Sequence, residues 1–391
     1  MEKVIYVDHS ATTYVKKEVL ENMLPYLQEK FGNASSMYSI GRVAKAATDK
    51  ARGQVASSIG CKAREIYFTG GGSESDNMIL MGIARANKYK GNHIITTKIE
   101  HLAVLNTCAE LEKEGFEVTY LDVDKNGLVD IDQLKATIKA TTILISVMFA
   151  NNEIGTVEPI QKIGQIAKEK GIYFHTDAVQ AIGCFKINVE ELNIDALSLS
   201  AHKFYGPKGV GAAYIKEGIA FSSVINGGHQ ERGKRAGTEN VSGIVGLGSA
   251  ILIANKNIDL YNEKLYKLRE ALITRLEQGI SGISINGDRI NRMPGNVNVS
   301  FSGIDGSCLL LMLDMNGICA STGSACTTGS TEPSHVLKAI GLPTSLAQGT
   351  LRITFGEENT MEDVEYIEKT ILKIAKKLRD TKTFSCFKYH K

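Results

Sequence analysis

Between about residues 65 and 215 the chain alternates short apolar runs with longer stretches whose apolar positions recur at helical spacing. The runs 94–97, 117–123, 142–149, 172–175, 194–199 and 211–215 read as strands, and several are apolar throughout, as expected of strands covered on both faces. Helical stretches fill the gaps, for example around 160–170. This alternation predicts a mainly parallel, doubly wound α/β sheet, with strand C-termini and their loops along one edge. After about residue 256 the pattern changes. Leu265, Leu268, Leu272 and Leu276 keep helical spacing. A later helix begins near Thr360, with Asp363 three residues on as a capping partner, and Val364, Ile367, Ile371 and Ile374 line one of its faces. With strand-like segments at 297–300 and 351–354, this predicts a smaller α/β domain. The expected division is a large domain of residues 15–256 and a small one of residues 1–14 and 257–391.

Composition narrows the class without deciding it. At 391 residues, 43% hydrophobic and 23% charged, the chain has the make-up of a globular protein with a large core. A net charge of +2 gives no bulk electrostatic reason to bind nucleic acid or a membrane surface. No stretch approaches the roughly 20 apolar residues of a membrane helix. The seven cysteines are scattered, without a Cys-x-x-Cys pair. That argues against a structural zinc site or a disulfide framework and for a reducing, cytoplasmic setting. Cys61, Cys108, Cys184, Cys308 and Cys319 are expected to be small core hydrophobes.

The chemistry concentrates at strand ends. Lys203 follows the apolar run 194–199 through Ser200, Ala201 and His202, just before a Gly/Pro turn. An amine placed there can form a Schiff base, and its neighbours can hold a phosphate, which points to pyridoxal 5′-phosphate (PLP). That cofactor needs a carboxylate against its ring nitrogen, and Asp177, one strand earlier, supplies it; Gln180 is placed to reach the ring oxygen. A strand-end Asp alone reads more readily as a helix cap or turn; the order Asp, then Lys one strand later, reverses that in favour of the cofactor. Gly70, Gly71, Gly72 and Ser73 follow a strand-like run, 65–68, and open a helix from Glu74, as a phosphate cradle would. The spacing is neither that of a P-loop nor of a dinucleotide fold. His101 ends the run 94–99, suited to stacking on a ring and moving protons. Asn151 and Asn152 suit either a turn or a ligand. Arg352, a charge inside a strand-like run, suits a carboxylate or an exposed edge. Cys326 lies among glycines, serines and threonines, neighbours wrong for a core, so it reads as a nucleophile on a segment free to move.

These motifs together resemble the cysteine desulfurases of the NifS/IscS type. These belong to the class-V aminotransferase family and have PLP fold type I. The resemblance covers nearly the whole chain, from Asp8, His9, Ser10, Ala11, Thr12 and Thr13 to the helix near residue 375. It rests most on the Ser-x-His-Lys run, the Asn-Asn-Glu-Ile-Gly run, the segment from Arg235 to Asn240, and Gly-Ser-Ala-Cys ending at Cys326. It implies that Lys203 carries the cofactor and that His101 stacks on it as acid or base. Asp177 and Gln180 would tune the ring, while Gly72, Ser73, Ser200 and His202 hold the phosphate. Thr238 would reach the phosphate of a neighbouring subunit, hence a homodimer. Asn152 and Arg352 would bind the substrate carboxylate, and the long Cys326 loop indicates group I. The implied reaction takes sulfur from L-cysteine, giving L-alanine and a Cys326 persulfide. The sulfur would pass to an iron–sulfur scaffold protein or a tRNA-thiolation relay. No resident metal is implied, although Cys326 would be a candidate transient ligand for a cluster on a partner. Selenocysteine lyase is the nearest alternative; an aminotransferase has no use for such a thiol, and a non-enzymatic phosphate binder would leave Lys203 without a role. His9 and Ser10 depart from the usual Asn-Ala, Gly72-Ser73 from Ala-Thr, and Tyr38 from a frequent His. The tail after Asp380, with Cys386, Tyr389 and His390, carries no assignable feature.

Overall fold

A computed structural model describes residues 4–322 and 333–385. A seven-stranded sheet runs through its centre. In spatial order its strands are Ile66–Thr69, Gly211–Ile215, Ala196–Ser200, Tyr173–Asp177, Thr142–Ser146, His93–Thr97 and Glu117–Leu121. The last five are mutually parallel, and Gly211–Ile215 pairs antiparallel with both its neighbours. The central strands are buried at every position, their serines and threonine included, as expected of strands covered on both faces. Helices cover both faces. Ile160–Lys170 shows the local logic: Ile160, Ile163, Ile166 and Ala167 form its buried stripe, and Gly171 ends it in the left-handed conformation at φ 66°.

A second apolar core lies around a three-stranded antiparallel sheet of Ile283–Ile285, Asn296–Phe301 and Thr350–Thr354. The helices Ile258–Gly279 and Met361–Ser385 pack there, presenting Leu268, Leu272, Leu276, Ile367 and Ile371. Each such fully buried side chain contributes roughly 1.5–3 kcal/mol. Ile5 and Val7, from the start of the chain, belong to this core. The Thr360–Asp363 pair caps the second helix reciprocally: Thr360 N–H donates to Asp363 Oδ2 at 3.0 Å, and Asp363 N–H donates to Thr360 Oγ1 at 3.3 Å.

Several expected boundaries shift. The run 142–149 is a strand only to Ser146; Met148 and Ala150 instead line a cavity beyond the strand end. Tyr173–Asp177 extends two residues past the expected end, because Asp177 pairs with Ser198. The strand before Lys203 begins at Ala196 and ends at Ser200. The Gly-rich helix starts at Gly72 rather than Glu74.

Candidate active site

At the C-terminal edge of the parallel strands lies a cavity of about 930 Å³, counting its open mouth. Gly72, Ser73, His101, Asn152, Asp177, Gln180, Ser200, His202, Lys203 and Arg352 all line it. Thus ten of the predicted residues, from eight separate elements or loops, converge. Thr238 does not; it is exposed and away from this cavity. Cys326 lies outside the described residues, as do Cys386, Tyr389 and His390. The two segments flanking residues 323–332 can be placed. Ser321 pairs with Arg352 through N–H···O bonds of 3.1 and 2.7 Å, and His335 Nε2 is 2.9 Å from the Glu100 carbonyl, next to His101.

Lys203 ends a single 3₁₀ turn, Ala201–Lys203, directly after the central strand. Its Nζ donates to the Ser10 carbonyl and, at 2.8 Å, to the Ala11 carbonyl. The chain then turns through Tyr205, held left-handed at φ 64°, with its N–H on Thr13 Oγ1 at 2.8 Å. A bulky residue there is strained, and such strain persists only where its surroundings fix it.

His101 caps the helix Leu102–Lys113: its Nδ1 accepts the Ala103 N–H at 3.1 Å. The neutral ring therefore carries its proton on Nε2. Burial lowers its pKa, the Asp177 carboxylate opposes that, and Lys203 adds to it. His202 is pushed down to about 4, by burial first and then by Lys203 and Lys208, so it is neutral near pH 7. Its ring contacts Thr12 Oγ1 at 3.1 Å. Asp177 is almost wholly buried and accepts the Val179 N–H at 2.9 Å. Burial raises its pKa, against the pull of His101, the Val179 hydrogen bond and Lys203.

Sequence reasoning missed the carboxyl beside it. Asp76, in the second turn of the Gly72–Asn87 helix, also lines the cavity, and its buried Oδ1 has no hydrogen-bond partner. Burial first and the nearby Asp177 second push its pKa well up, while the Ser198 hydroxyl opposes them. Its helical position among polar neighbours gave no signal. Behind it His175 links Ser146 (2.9 Å) and Ser198 (3.0 Å), and burial lowers it to about 3. The two amides divide: Asn151 is the turn residue, with Oδ1 accepting Glu153 and Ile154 N–H, whereas Asn152 faces the cavity and its carbonyl accepts Arg352 Nη1 at 3.0 Å. Gln180 donates to the Ser10 carbonyl at 3.0 Å. His9 is directed away from this cavity, with Nε2 on Glu358 at 2.9 Å, and lines a separate one. Cys308 is exposed rather than a core residue. Its place on the outer side of Gly306–Asp314 was not visible in composition.

The comparisons agree on one family. The class-V aminotransferase profile matches residues 5–367. The chain belongs to that family. A cysteine desulfurase IscS of Clostridium botulinum is 58% identical over 382 residues, covering 97% of this chain and 96% of the relative. The IscS of Methanosarcina thermophila is 56% identical over 378 residues, covering 97% and 93%. Among solved structures, a NifS-like protein superposes with a TM-score of 0.90 at 40% identity, covering 96% of this chain and 100% of that one. A second, described as SspA in complex with cysteine, gives 0.80 at 38% identity, covering 90% and 98%.

The class-V family is PLP-dependent, and the cavity fits that cofactor. A primary amine projects into it, and two buried carboxyl groups, one with an orphaned oxygen, line it. Ser73, Ser200 and His202 border a second recess with Gly70, Gly71 and Gly72 at the N-terminus of a 16-residue helix. The first-turn N–H groups of a helix lack intrahelical partners and favour a phosphate. At Gly72 a Cβ would stand 2.7 Å from Val179 Cγ2, so the glycine lets Val179 pack close against the start of the helix. Among the described residues no group of three or more His, Cys, Asp or Glu is placed to hold a metal ion.

Proposed function

We propose that this protein is a cysteine desulfurase, taking sulfur from L-cysteine onto Cys326 and releasing L-alanine. The observation that carries the reading is the convergence of Lys203, Asp177, His101, Asn152 and Arg352 on one cavity, in a chain 58% identical to a cysteine desulfurase over nearly its whole length. When bound, PLP supplies an electron sink that weakens the bonds around the substrate α-carbon. Asp177 is the partner for its ring nitrogen, Gln180 for its ring oxygen, and Gly72, Ser73, Ser200 and His202 for its phosphate.

The remaining roles belong to the chain. Arg352 and Asn152 hold the substrate carboxylate, and Arg352 has a buried Nε with no other partner to offer it. Lys203, held by two neutral carbonyls, gives and takes the α-proton. The Nε2–H of His101 exchanges a proton with the substrate sulfur. The Cys326 thiolate bonds to that sulfur as the carbon–sulfur bond breaks. Its electron pair remains with carbon, which is protonated and leaves as alanine, while the sulfur stays on Cys326 as a persulfide. The flanks of the Cys326 segment pair with Arg352, a cavity residue, and with the Glu100 carbonyl next to His101, which supports its reach to substrate.

We assign residues 15–256 to the large domain, and 1–14 with 257–391 to the small one. A homodimer is supported by the apolar face of Leu20, Leu24, Leu27, Phe31 and Met37, each 44–90% exposed, and by the exposed Thr238, assigned to the partner's phosphate. The persulfide is passed to an iron–sulfur scaffold or a tRNA-thiolation relay in the cytoplasm. Among the described residues no single helix is long and apolar enough to cross a membrane.

The test is L-alanine formation from L-cysteine with a thiol reductant. The expected result is turnover by the parent protein and loss of more than about a hundredfold in Cys326→Ala, with PLP still bound. Undiminished turnover in the variant contradicts the persulfide route. Preference for L-selenocysteine in direct competition would move the assignment to selenocysteine lyase.

A further inference from the structure

Residues 8–13 cross the cavity between its two cations and touch both. At one end Asp8 Oδ1 accepts Arg352 Nη2 at 2.8 Å, and two residues on, the Ser10 and Ala11 carbonyls accept Lys203 Nζ. The strap is fastened on both sides. Toward the small sheet, His9 Nδ1 lies 2.9 Å from the Thr354 carbonyl, and Ser10 N–H donates to Thr354 Oγ1 at 2.9 Å. Toward the lysine turn, Thr13 N–H and Oγ1–H both donate to the His202 carbonyl at 2.9 Å. His9 packs so closely on Gly356 that a Cβ there would lie 2.0 Å from its Nε2, so the strap has little freedom to slide.

Arg352 is 3% exposed. A guanidinium so buried needs a counter-charge, and losing one partner of such a pair leaves an uncompensated charge. Asp8 supplies the charge and the Asn152 carbonyl takes Nη1, while Nε remains without a partner. The fork is thus held at two nitrogens, and the buried third has no hydrogen-bond partner. We propose that Asp8 is a positioning residue for substrate recognition: it fixes the Arg352 guanidinium with its Nε uncommitted, on the same strap whose carbonyls hold Lys203. This rests on the reading of Arg352 as the carboxylate-binding residue. The carboxylate of Asp8 also repels that of the substrate, so the sign of its net effect is itself informative.

The experiment uses the PLP-loaded protein and two probes. 3-Mercaptopropionate carries the substrate's carboxylate and thiol without the amine; cysteamine carries the amine and thiol without the carboxylate. In Asp8→Asn, the dissociation constant for 3-mercaptopropionate and the KM for L-cysteine should both rise on the order of tenfold. The value of kcat should stay within about threefold and cysteamine affinity should be unchanged. Asp8→Glu, which keeps the charge but displaces it by a methylene, should fall between, and it carries the test if Asp8→Asn does not fold. Unchanged or tighter binding of 3-mercaptopropionate, or equal weakening of both probes, overturns the proposal. Arg352→Lys separates the two readings. If it weakens 3-mercaptopropionate and Asp8→Asn does not, only the role of Asp8 fails. If neither does, the carboxylate role of Arg352 fails with it.

Discussion

Two cations face the same cavity, and the hydrogen bonds described for them differ in kind. Lys203 Nζ is held by main-chain carbonyls, Ser10 and Ala11, which carry no net charge. Arg352 is held by a carboxylate, Asp8, together with one carbonyl. The difference follows the work of each group. An amine that must lose its proton to act as nucleophile and base would be disabled by a tight anionic partner, which stabilises the ammonium form. A guanidinium has no such duty; it must stay charged and keep its plane, and an anion serves both ends. Three residues of one strap thus meet the two cations differently, Ser10 and Ala11 through neutral carbonyls at Lys203 and Asp8 through a carboxylate at Arg352.

The largest expected effect breaks the lysine side. Lys203→Ala should reduce alanine formation by at least about a thousandfold and abolish the visible absorbance of the bound cofactor, read spectrophotometrically on the purified variant. Arg352→Lys keeps the charge but loses the fork, so it should leave that absorbance in place and raise KM by roughly 10- to 100-fold, with a smaller fall in kcat. Should the arginine variant lose its cofactor as well, the two holds are not separable and the comparison fails.

A third buried group sharpens the contrast through stability. Glu158 has neither arrangement: Oε2 accepts the Val129 N–H at 3.0 Å, and buried Oε1 has no partner. Burial pushes its pKa up to about 8, with the Val129 hydrogen bond pulling down and Asp124 adding a little. Because the folded value lies above the ordinary 4.5, its contribution to stability is complete below about pH 4.5 and is lost as pH rises through 8. Glu158→Gln cannot ionise and removes that loss. Melting curves of the variant and parent should therefore diverge from pH 5 to pH 8, the variant gaining roughly 1 °C for each kcal/mol recovered in a chain of this length. A gap independent of pH would contradict the assignment.

Much of this was legible before the fold was known, for identifiable reasons. Lys203, Asp177 and His101 stand just past apolar runs, and in a parallel sheet those ends share one edge, so runs of hydrophobicity locate chemistry. The same signal misplaced boundaries. Residues 147–150 are as buried as the strand before them, and the Val147 and Phe149 N–H groups still donate to the His175 and Asp177 carbonyls of the neighbouring strand, but the regular ladder ends at Ser146; apolar runs report burial, not where a ladder stops. Asp76 escaped because one Asp in a polar helix turn looks like a solvated residue, and only the packing of that helix on the sheet buries it. Asp8 was visible as part of a motif, yet its partner is 344 positions away, on the strand Thr350–Thr354. Long-range pairs of this kind leave no local trace.

The central claim is that Cys326 receives the sulfur. The most direct measurement is a single turnover with L-cysteine in the absence of reductant, followed by mass analysis of the peptide carrying Cys326. The account predicts one added sulfur atom on Cys326 for each L-alanine released, and neither product in Cys326→Ala. Alanine released while Cys326 stays unmodified, or alanine from the variant at the parent's level, would contradict it.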